Sequence, residues 1–285
     1  MKIGIATTDF DTCKTDRLFE SAANLGFESV QFAFASIEES DFIPDDRIEI
    51  PPSVGPALVK KVKEAANARK ITIPSVNGTF NMAHPDVEVR MEGIRRMDSF
   101  AAAARELGAG IISLCSGTRN EAHLWRYHKD NHTDAAWRDM IDTMLRAVEI
   151  ADKYELILAV ETEYSNVVDT ADKARRMMDE VNSPRLKMIM DCANLFHPGD
   201  AYKEKAAAVI RHAFNVLKGD IVLAHGKDIA ESEGINFCPT GEGIVDFELF
   251  IRLLDAQGYQ GDMILHGIYD EAKMPQGIEV IKSLL

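Results

Sequence analysis

The sequence predicts an α/β fold, a single (β/α)8 barrel with a closed sheet of eight parallel strands, extending over residues 1–285. Short apolar runs recur eight times, and segments with apolar residues three and four positions apart separate them. Strict alternation of strand and helix requires parallel pairing, because parallel neighbours need a crossover connection. Eight such units in 285 residues fit a barrel, which commonly takes about 250 residues, better than an open sheet. No linker or charge tract marks a second domain.

The predicted strands are nearly continuous apolar runs, which is typical of parallel strands that are buried on both faces. In chain order they are KIGIATT, ESVQFAF, ITIPSVN, GIISLCSG, LILAVETEY, LKMIMDCA, DIVLAHG and DMILHG. The first run continues into ATTDFDTC rather than into a glycine-rich turn. The alternative of a dinucleotide-binding open sheet therefore lacks its fingerprint.

The segments between the strands have helical spacing, as at Leu58, Val62 and Ala65. Predicted helix ends carry a glycine that can adopt a left-handed conformation, namely Gly26, Gly108 and Gly258. Predicted helix starts carry a side-chain oxygen that can cap a free amide, at Ser53, Asp86, Thr133, Thr170 and Asp200. The longest irregular stretches, about 36–52 and 118–132, are predicted to lie over the barrel mouth as loops of the lid type.

Composition excludes several classes of protein. The chain has 46 acidic and 32 basic residues, a formal charge of −14, which would repel a nucleic-acid backbone, so we expect no nucleic-acid partner. No apolar run reaches the roughly 18 residues of a membrane span, and the start lacks a signal sequence, so we expect no membrane partner and a cytoplasmic location. The 4 cysteines are far apart and predict reduced thiols rather than disulfides or a structural zinc site.

Ionisable residues close four neighbouring predicted strands, at the end of a barrel where active sites lie. They are Glu161, Asp191, His225 and His266, and we predict that they bind one divalent metal ion. A cation would cancel the repulsion between carboxylates that converge in a low-dielectric mouth. A mixed oxygen and nitrogen donor set favours Mn, Zn, Co or Fe over Mg. Taken singly, each residue could instead cap a helix or form a loop ion pair.

Further polar residues follow predicted strands and are candidates for substrate contacts: Asn77, His84, Arg119, Glu163 and His197. Arginine offers a planar fork for a carboxylate or phosphate. Each candidate has an ordinary alternative. His84 can be a loop histidine before a turn-forming proline, His197 can order the loop that leads to Asp200, Arg119 can lie on the surface, and Glu163 can be solvated.

The segments that carry these residues resemble a known family. They are AVETE with Glu161, MIMDCANLFHPGD with Asp191, HGKD from His225 to Asp228, and PTGEGIVDF. In order and spacing they are similar to the xylose isomerase-like TIM barrels, which include sugar phosphate isomerases and epimerases, ketose 3-epimerases, inosose dehydratases and endonuclease IV. The family usually has a glutamate as its last metal ligand, where this chain has His266. The GTFNMAHPD and ANLFHPGD stretches resemble one branch of the family, the sugar phosphate isomerases/epimerases.

The resemblance implies a metal-dependent isomerase or epimerase that acts on a small sugar or polyhydroxy carbonyl compound through an enediolate. Glu161 would remove the α proton, and Lys227 or His266 would stabilise or reprotonate the product of that step. The alternatives are a dehydratase of an inosose-type substrate, a sugar-binding pseudoenzyme, and an iron site in which His225 and His266 join one carboxylate. A nucleic-acid enzyme would need a basic groove.

The same resemblance implies a small-molecule carbohydrate partner and a homodimer or homotetramer. No glycine-rich phosphate cradle is evident after the seventh and eighth predicted strands, where barrels often build one. The sequence thus favours an unphosphorylated substrate.

Overall fold

The computed structural model describes all residues from Met1 to Leu285 and confirms the closed parallel barrel. Its strands are β1 (Ile3–Ala6), β2 (Ser29–Phe32), β3 (Thr72–Asn77), β4 (Ile111–Leu114), β5 (Ile157–Val160), β6 (Leu186–Asp191), β7 (Ile221–Gly226) and β10 (Met263–Leu265). Two short strands, β8 (Asp228–Ile229) and β9 (Phe237–Cys238), pair antiparallel outside the barrel. Around the barrel the strands follow the order β1-β10-β7-β6-β5-β4-β3-β2. All eight predicted strands therefore exist.

Eight helices surround the sheet. They are α1 (Thr15–Leu25), α2 (Pro56–Ala68), α3 (Val87–Leu107), α4 (Asp134–Lys153), α5 (Ala171–Val181), α6 (Lys203–Val216), α7 (Phe247–Ala256) and α8 (Met274–Lys282). Their apolar faces and the outer faces of the strands form one core cluster of 76 buried residues. No helix has an apolar stretch sufficient to cross a bilayer.

The helix boundaries agree with most of the predicted caps. The side chains of Asp86, Thr133 and Thr170 each accept a hydrogen bond from a first-turn amide. The predicted end glycines have positive φ angles, 97° at Gly26, 88° at Gly108 and 69° at Gly258.

Two of the predicted caps are wrong. Helix α2 begins at Pro56 rather than directly after Ser53, because the fixed φ of proline suits the first helical turn. Helix α6 begins at Lys203 without a side-chain cap. The Asp200 carboxylate instead lies 2.7 Å from the Lys205 ammonium.

Strand register places the carboxyl ends of β6, β7 and β10 at one level. Asp191 is the partner of His225, and His225 is the partner of Ile264. Because paired residues of parallel strands face the same side, these side chains all point into the barrel. Beneath them, a separate buried cluster fills the interior, formed by Ala6, Ala159, Ile189, Leu223 and Ile264. The polar residues thus lie on an apolar floor at the mouth.

The two predicted lid loops lie over the mouth, and backbone hydrogen bonds join the first loop to the second and to the segment after β3. The amide of Leu124 donates to the Asp46 carbonyl at 2.8 Å, and the amide of Glu49 donates to the Thr79 carbonyl at 2.9 Å. Ile48 and Ile50 are 3% and 0% exposed, so the first loop is anchored by apolar side chains. This loop has a fixed position relative to the sheet.

Glu39 holds the start of α1 from the loop that follows β2. Its Oε2 accepts hydrogen bonds from the amide and the hydroxyl of Thr15, and its Oε1 accepts one from Lys61 at 2.7 Å. Burial opposes ionisation, but these hydrogen bonds prevail and lower the pKa of Glu39 to about 2. The carboxylate therefore contributes stability that is fully present above its ordinary pKa of 4.5 and is lost as the pH falls towards 2.

We expect Glu39→Gln to lower the free energy of unfolding by about 1–2 kcal/mol at pH 7, because it weakens a charged helix cap. Urea denaturation at pH 7 and pH 3 should show the difference from wild type shrinking at the lower pH. Glu38→Gln changes the neighbouring exposed glutamate and serves as the control. An equal loss in both variants would contradict the capping role of Glu39.

Candidate active site

A cavity of about 400 Å³ opens at the carboxyl ends of the strands, within the size range of small-ligand sites. Polar side chains from most of the barrel converge in it. They include Gln31, Glu49, Asn77, Glu161, Asn194 and Lys227. The predicted working face of the barrel therefore contains a pocket lined by polar side chains.

Three of the four predicted metal ligands form a compact cluster beside this cavity. One ligand atom from each of Glu161, Asp191 and His225 lies within 4.8 Å of the others. Nδ1 of His225 is 3.4 Å from Oε2 of Glu161 and 3.3 Å from Oδ2 of Asp191. Two carboxylates and an imidazole at this spacing fit the donor set of a divalent transition-metal ion.

Neighbouring groups hold these three side chains in place. Oδ1 of Asp191 accepts hydrogen bonds from the amides of Ala193 and Asn194, so Oδ2 faces the cluster. Nε2 of His225 lies 3.0 Å from Oε1 of Gln31, an acceptor that keeps this nitrogen protonated and aims Nδ1 at the carboxylates. Such support is typical of metal-binding histidines.

The electrostatics of the cluster favour the charged forms of His225 and Asp191. Burial alone would lower the pKa of His225, but its hydrogen bonds to Asp191 and Glu161 raise the pKa to about 9. Burial alone would raise the pKa of Asp191, but Lys227 and His225 lower it to about 2. A proton on Nδ1 of His225 therefore occupies the position that a metal ion would take, and metal binding must displace it.

Lys227 and Glu163 add two further ionisable groups at the cavity wall. Nζ of Lys227 lies 3.7 Å from Oδ2 of Asp191 and 3.6 Å from the centre of the Phe237 ring. Burial would lower the pKa of Lys227, but the nearby carboxylates raise it. Burial raises the pKa of Glu163 to about 7, although Lys227 acts against this shift. The wall thus offers a buried ammonium group close to the cluster.

His266 lies next to the cluster but is held by a different partner. Its ring centre is 5.6 Å from that of His225, and its Nδ1 is 3.0 Å from Oδ1 of Asp9. The other oxygen of Asp9 accepts the amide of Ile268 at 2.7 Å. Only Nε2 of His266 is free to meet a ligand in the cavity. The role of His266 as fourth metal ligand stays a prediction.

The structure brings two of the five predicted substrate contacts into the cavity, Asn77 and Glu163. The other three lie elsewhere. His84 is buried, with Nε2 3.2 Å from the Glu121 carbonyl. Arg119 donates to Asp139 at 2.6 Å and to the Ala83 carbonyl, so it joins the lid loop to α4.

His197 lines a neighbouring hollow rather than the main cavity, and Tyr164 borders both. Nε2 of His197 is 2.9 Å from the carbonyl of Asp169. This position agrees with the loop-ordering alternative for His197, and contact with substrate stays a prediction.

Among the polar residues of the site that the sequence did not predict, four hold or adjoin the cluster and the cavity: Asp9, Gln31, Glu49 and Asn194. Glu49 had a usable signal, because a single acid between two isoleucines must face away from the side that they bury. Asn194 also had one, since it follows Asp191 by three residues, in the short 3-10 turn after β6. Asp9 and Gln31 reach the site only because the barrel closes and its strands pair. The local sequence does not reveal either contact.

The match to a family model decides the assignment. The model of the xylose isomerase-like TIM barrel matches residues 19–284. The chain belongs to this family. Membership confirms the resemblance found in the sequence.

Proteins similar to this chain include sugar epimerases. The chain is 26% identical over 276 residues to the L-ribulose-5-phosphate 3-epimerase UlaE of Escherichia coli O157:H7 (strain EC4115 / EHEC), covering 95% of this chain and 87% of that protein. Among solved structures, D-psicose 3-epimerase from Clostridium cellulolyticum H10 matches with a TM-score of 0.73 at 14% identity, covering 100% and 99% of the two chains. The IolI protein, solved with a zinc atom, matches with a TM-score of 0.72 at 14% identity, covering 100% and 96%.

We expect the purified protein to bind about one divalent ion per chain and Asp191→Asn to weaken binding at least about 100-fold, because it removes a charged ligand. Elemental analysis and metal titration after chelation would measure this. Asp200→Asn removes an exposed carboxylate that pairs with Lys205 and is the matched control. Unchanged metal content in Asp191→Asn would rule out the cluster as the binding site.

Metal affinity should also rise with pH. Because the pKa of His225 is about 9, the proton on Nδ1 competes with the metal ion at neutral pH. The apparent association constant should increase by up to about tenfold per pH unit between about pH 6 and 8. Calorimetric titrations in buffers of different ionisation enthalpy would detect the released proton. A pH-independent constant would show that His225 does not bind the ion.

Proposed function

We propose that this protein is a divalent-metal-dependent epimerase or isomerase of a small ketose, with Glu161 as the base. The observation that carries the proposal is the convergence of Glu161, Asp191 and His225 on one point at the side of a cavity in the barrel mouth. Such a site can bind the carbonyl oxygen and the adjacent hydroxyl oxygen of a sugar. It can then remove the proton from the carbon that carries the hydroxyl group.

A divalent ion held by these three residues would supply Lewis-acid polarisation of a carbonyl oxygen and an adjacent hydroxyl oxygen. The IolI protein, which shares the fold, was solved with zinc, and this supports the presence of an ion here. The mixed donor set of this chain supports Mn, Zn, Co or Fe in preference to Mg.

Glu161 is placed to move the α proton. Its Oε2 faces Nδ1 of His225 and accepts a hydrogen bond from Nδ2 of Asn194 at 3.2 Å. This leaves Oε1 to take a proton from the carbon next to the substrate carbonyl. Asn194 fixes the carboxylate plane, so the base does not need to reorient during the reaction.

Lys227 and His266 complete the proton movements. The ammonium group of Lys227 is buried and close to the cluster, where it can donate a hydrogen bond to the enediolate oxygen and stabilise its charge. Nε2 of His266 can return a proton from the other side of the substrate, while Asp9 holds Nδ1. In this scheme a histidine performs the second proton transfer, at the position where the family usually has a glutamate.

The relatives favour epimerisation over the alternatives of dehydration and sugar binding without turnover. UlaE is named as a 3-epimerase of a ketose phosphate, and the structural neighbour as a 3-epimerase of D-psicose. We therefore propose inversion at the carbon next to the ketone as the reaction, and a small carbohydrate as the partner. A homodimer or homotetramer stays a prediction from the family.

We expect Glu161→Gln to lower kcat at least about 100-fold, because the variant loses both the general base and one charged metal ligand while keeping a similar shape. The assay is 3-epimerisation of a ketose in D2O by manganese-loaded protein, followed by mass spectrometry and NMR. One deuterium should enter at the inverted carbon. Loss of one water from the product would instead support a dehydratase.

Glu106→Gln removes a charge from the exposed face of α3 and should leave this reaction unchanged. Chelation of the metal should abolish turnover and added metal should restore it. Full activity in the chelated protein, or in Glu161→Gln, would refute the proposed mechanism.

A further inference from the structure

We infer that the substrate is an uncharged ketose without a phosphate ester, although the relative UlaE is named for a phosphorylated one. The inference rests on the proposed function and narrows it to a substrate class. Two features of the chain support this inference. One is the charge distribution of the cavity. The other is that a side chain of the protein itself binds the backbone amides in the loop that follows β7.

The cavity wall is predominantly acidic. Three carboxyl groups line it, from Glu49, Glu161 and Glu163, whereas Lys227 is the one lysine and no arginine is present. Nζ of Lys227 already lies near Asp191 and over the Phe237 ring. A phosphate group carries a charge of about −1.5 to −2 at neutral pH and would find no cation of its own.

Glu49 places a carboxylate in the part of the cavity that β3 and the second lid loop form. Its Oε2 accepts a hydrogen bond from Nδ2 of Asn77 at 2.9 Å, and its Oε1 accepts one from Nε1 of Trp125 at 2.8 Å. Burial raises the pKa of Glu49, and its two hydrogen-bond donors offset this shift only in part. The buried side chains of Ile48 and Ile50 on either side prevent the group from swinging out. This end of the cavity can accept hydrogen bonds from hydroxyl groups but repels an anion.

The backbone amides that could have held a phosphate are already bound by a side chain of this protein. Asp228 follows β7 and accepts hydrogen bonds from the amides of Gly241, Gly243 and Val245 at 2.9–3.0 Å. The loop fits closely around this carboxylate, since a Cβ at Gly243 would lie 2.3 Å from Oδ1 of Asp228. The region where many barrels bind phosphate is therefore filled by an internal anion.

The remaining polar groups of the cavity suit hydroxyls. Asn194 is 3% exposed, and its Oδ1 has no hydrogen-bond partner. Because its Nδ2 is committed to Glu161, Oδ1 is a buried acceptor that still lacks a donor. A sugar hydroxyl is a donor that can satisfy it, and a buried acceptor without a donor is costly.

The test compares matched pairs of sugars on the manganese-loaded protein: L-ribulose with L-ribulose 5-phosphate, and D-psicose with D-psicose 6-phosphate. In the pair whose free sugar has the higher kcat/KM, we expect kcat/KM for the free sugar to exceed that for its phosphate at least about tenfold. Glu49→Gln should narrow this ratio several-fold, mainly by improving KM for the phosphate, whereas Glu106→Gln should leave the ratio unchanged. An equal or higher kcat/KM for the phosphates in wild type would overturn the inference.

Calorimetric binding of the same sugars separates this inference from the proposed function. If neither form is epimerised but the free sugar binds more tightly than its phosphate, the epimerase proposal fails and the inferred selectivity stands. If the phosphate binds as tightly or more tightly, or if neither sugar binds, the inference fails. A selectivity ratio that is the same in Glu49→Gln as in wild type would show that Glu49 is not its source.

Discussion

The alignment of carboxyl ends by parallel strand register is the constraint on which the site depends. Asp191 and His225 face each other because they are register partners on β6 and β7, and Glu161 follows β5 directly. No loop has to fold into place for these three side chains to meet. The sheet thus positions these three side chains more precisely than a loop could. The loops form the outer wall of the cavity.

This arrangement concentrates negative charge where the fold offers little to neutralise it. Asp191 is 1% exposed and depends on Lys227 and His225 to remain ionised, and burying charges in this way costs stability unless partners are close. The apolar floor and the core cluster of 76 residues offset that cost. Stability comes from the lower part of the barrel, and the mouth retains the unfavourable electrostatics that chemistry requires.

The architecture could be predicted from the sequence because it depends on local patterns. The apolar runs, the glycine helix ends and the capping residues Asp86, Thr133 and Thr170 each act within a few positions along the chain. The cluster of Glu161, Asp191 and His225 could also be predicted, because polar residues that end neighbouring apolar strands meet at the same end of a barrel. The predicted helix starts at Ser53 and Asp200 are wrong. A proline in the first helical turn sets the start of α2, and an ion pair with Lys205 engages the Asp200 carboxylate.

Substrate contacts were harder to predict, because they depend on which distant segments meet. Arg119 is an attractive anion ligand in the sequence, but Asp139, on the following helix, takes its guanidinium group. Glu49 is inconspicuous in a long loop, yet Asn77 and Trp125, 28 and 76 positions away, bring it into the cavity. These pairings are properties of the folded loops, and spacing along the chain does not encode them.

The contact between Asp9 and His266 spans 257 positions and joins the first strand of the barrel to the last. During synthesis on the ribosome, the amino-terminal half emerges with Asp9 long before its partner exists. The catalytic pocket is therefore assembled only once the final strand has docked against β1. A nascent chain short of β10 carries most of the groups of the candidate site but lacks the strand that completes the barrel around them.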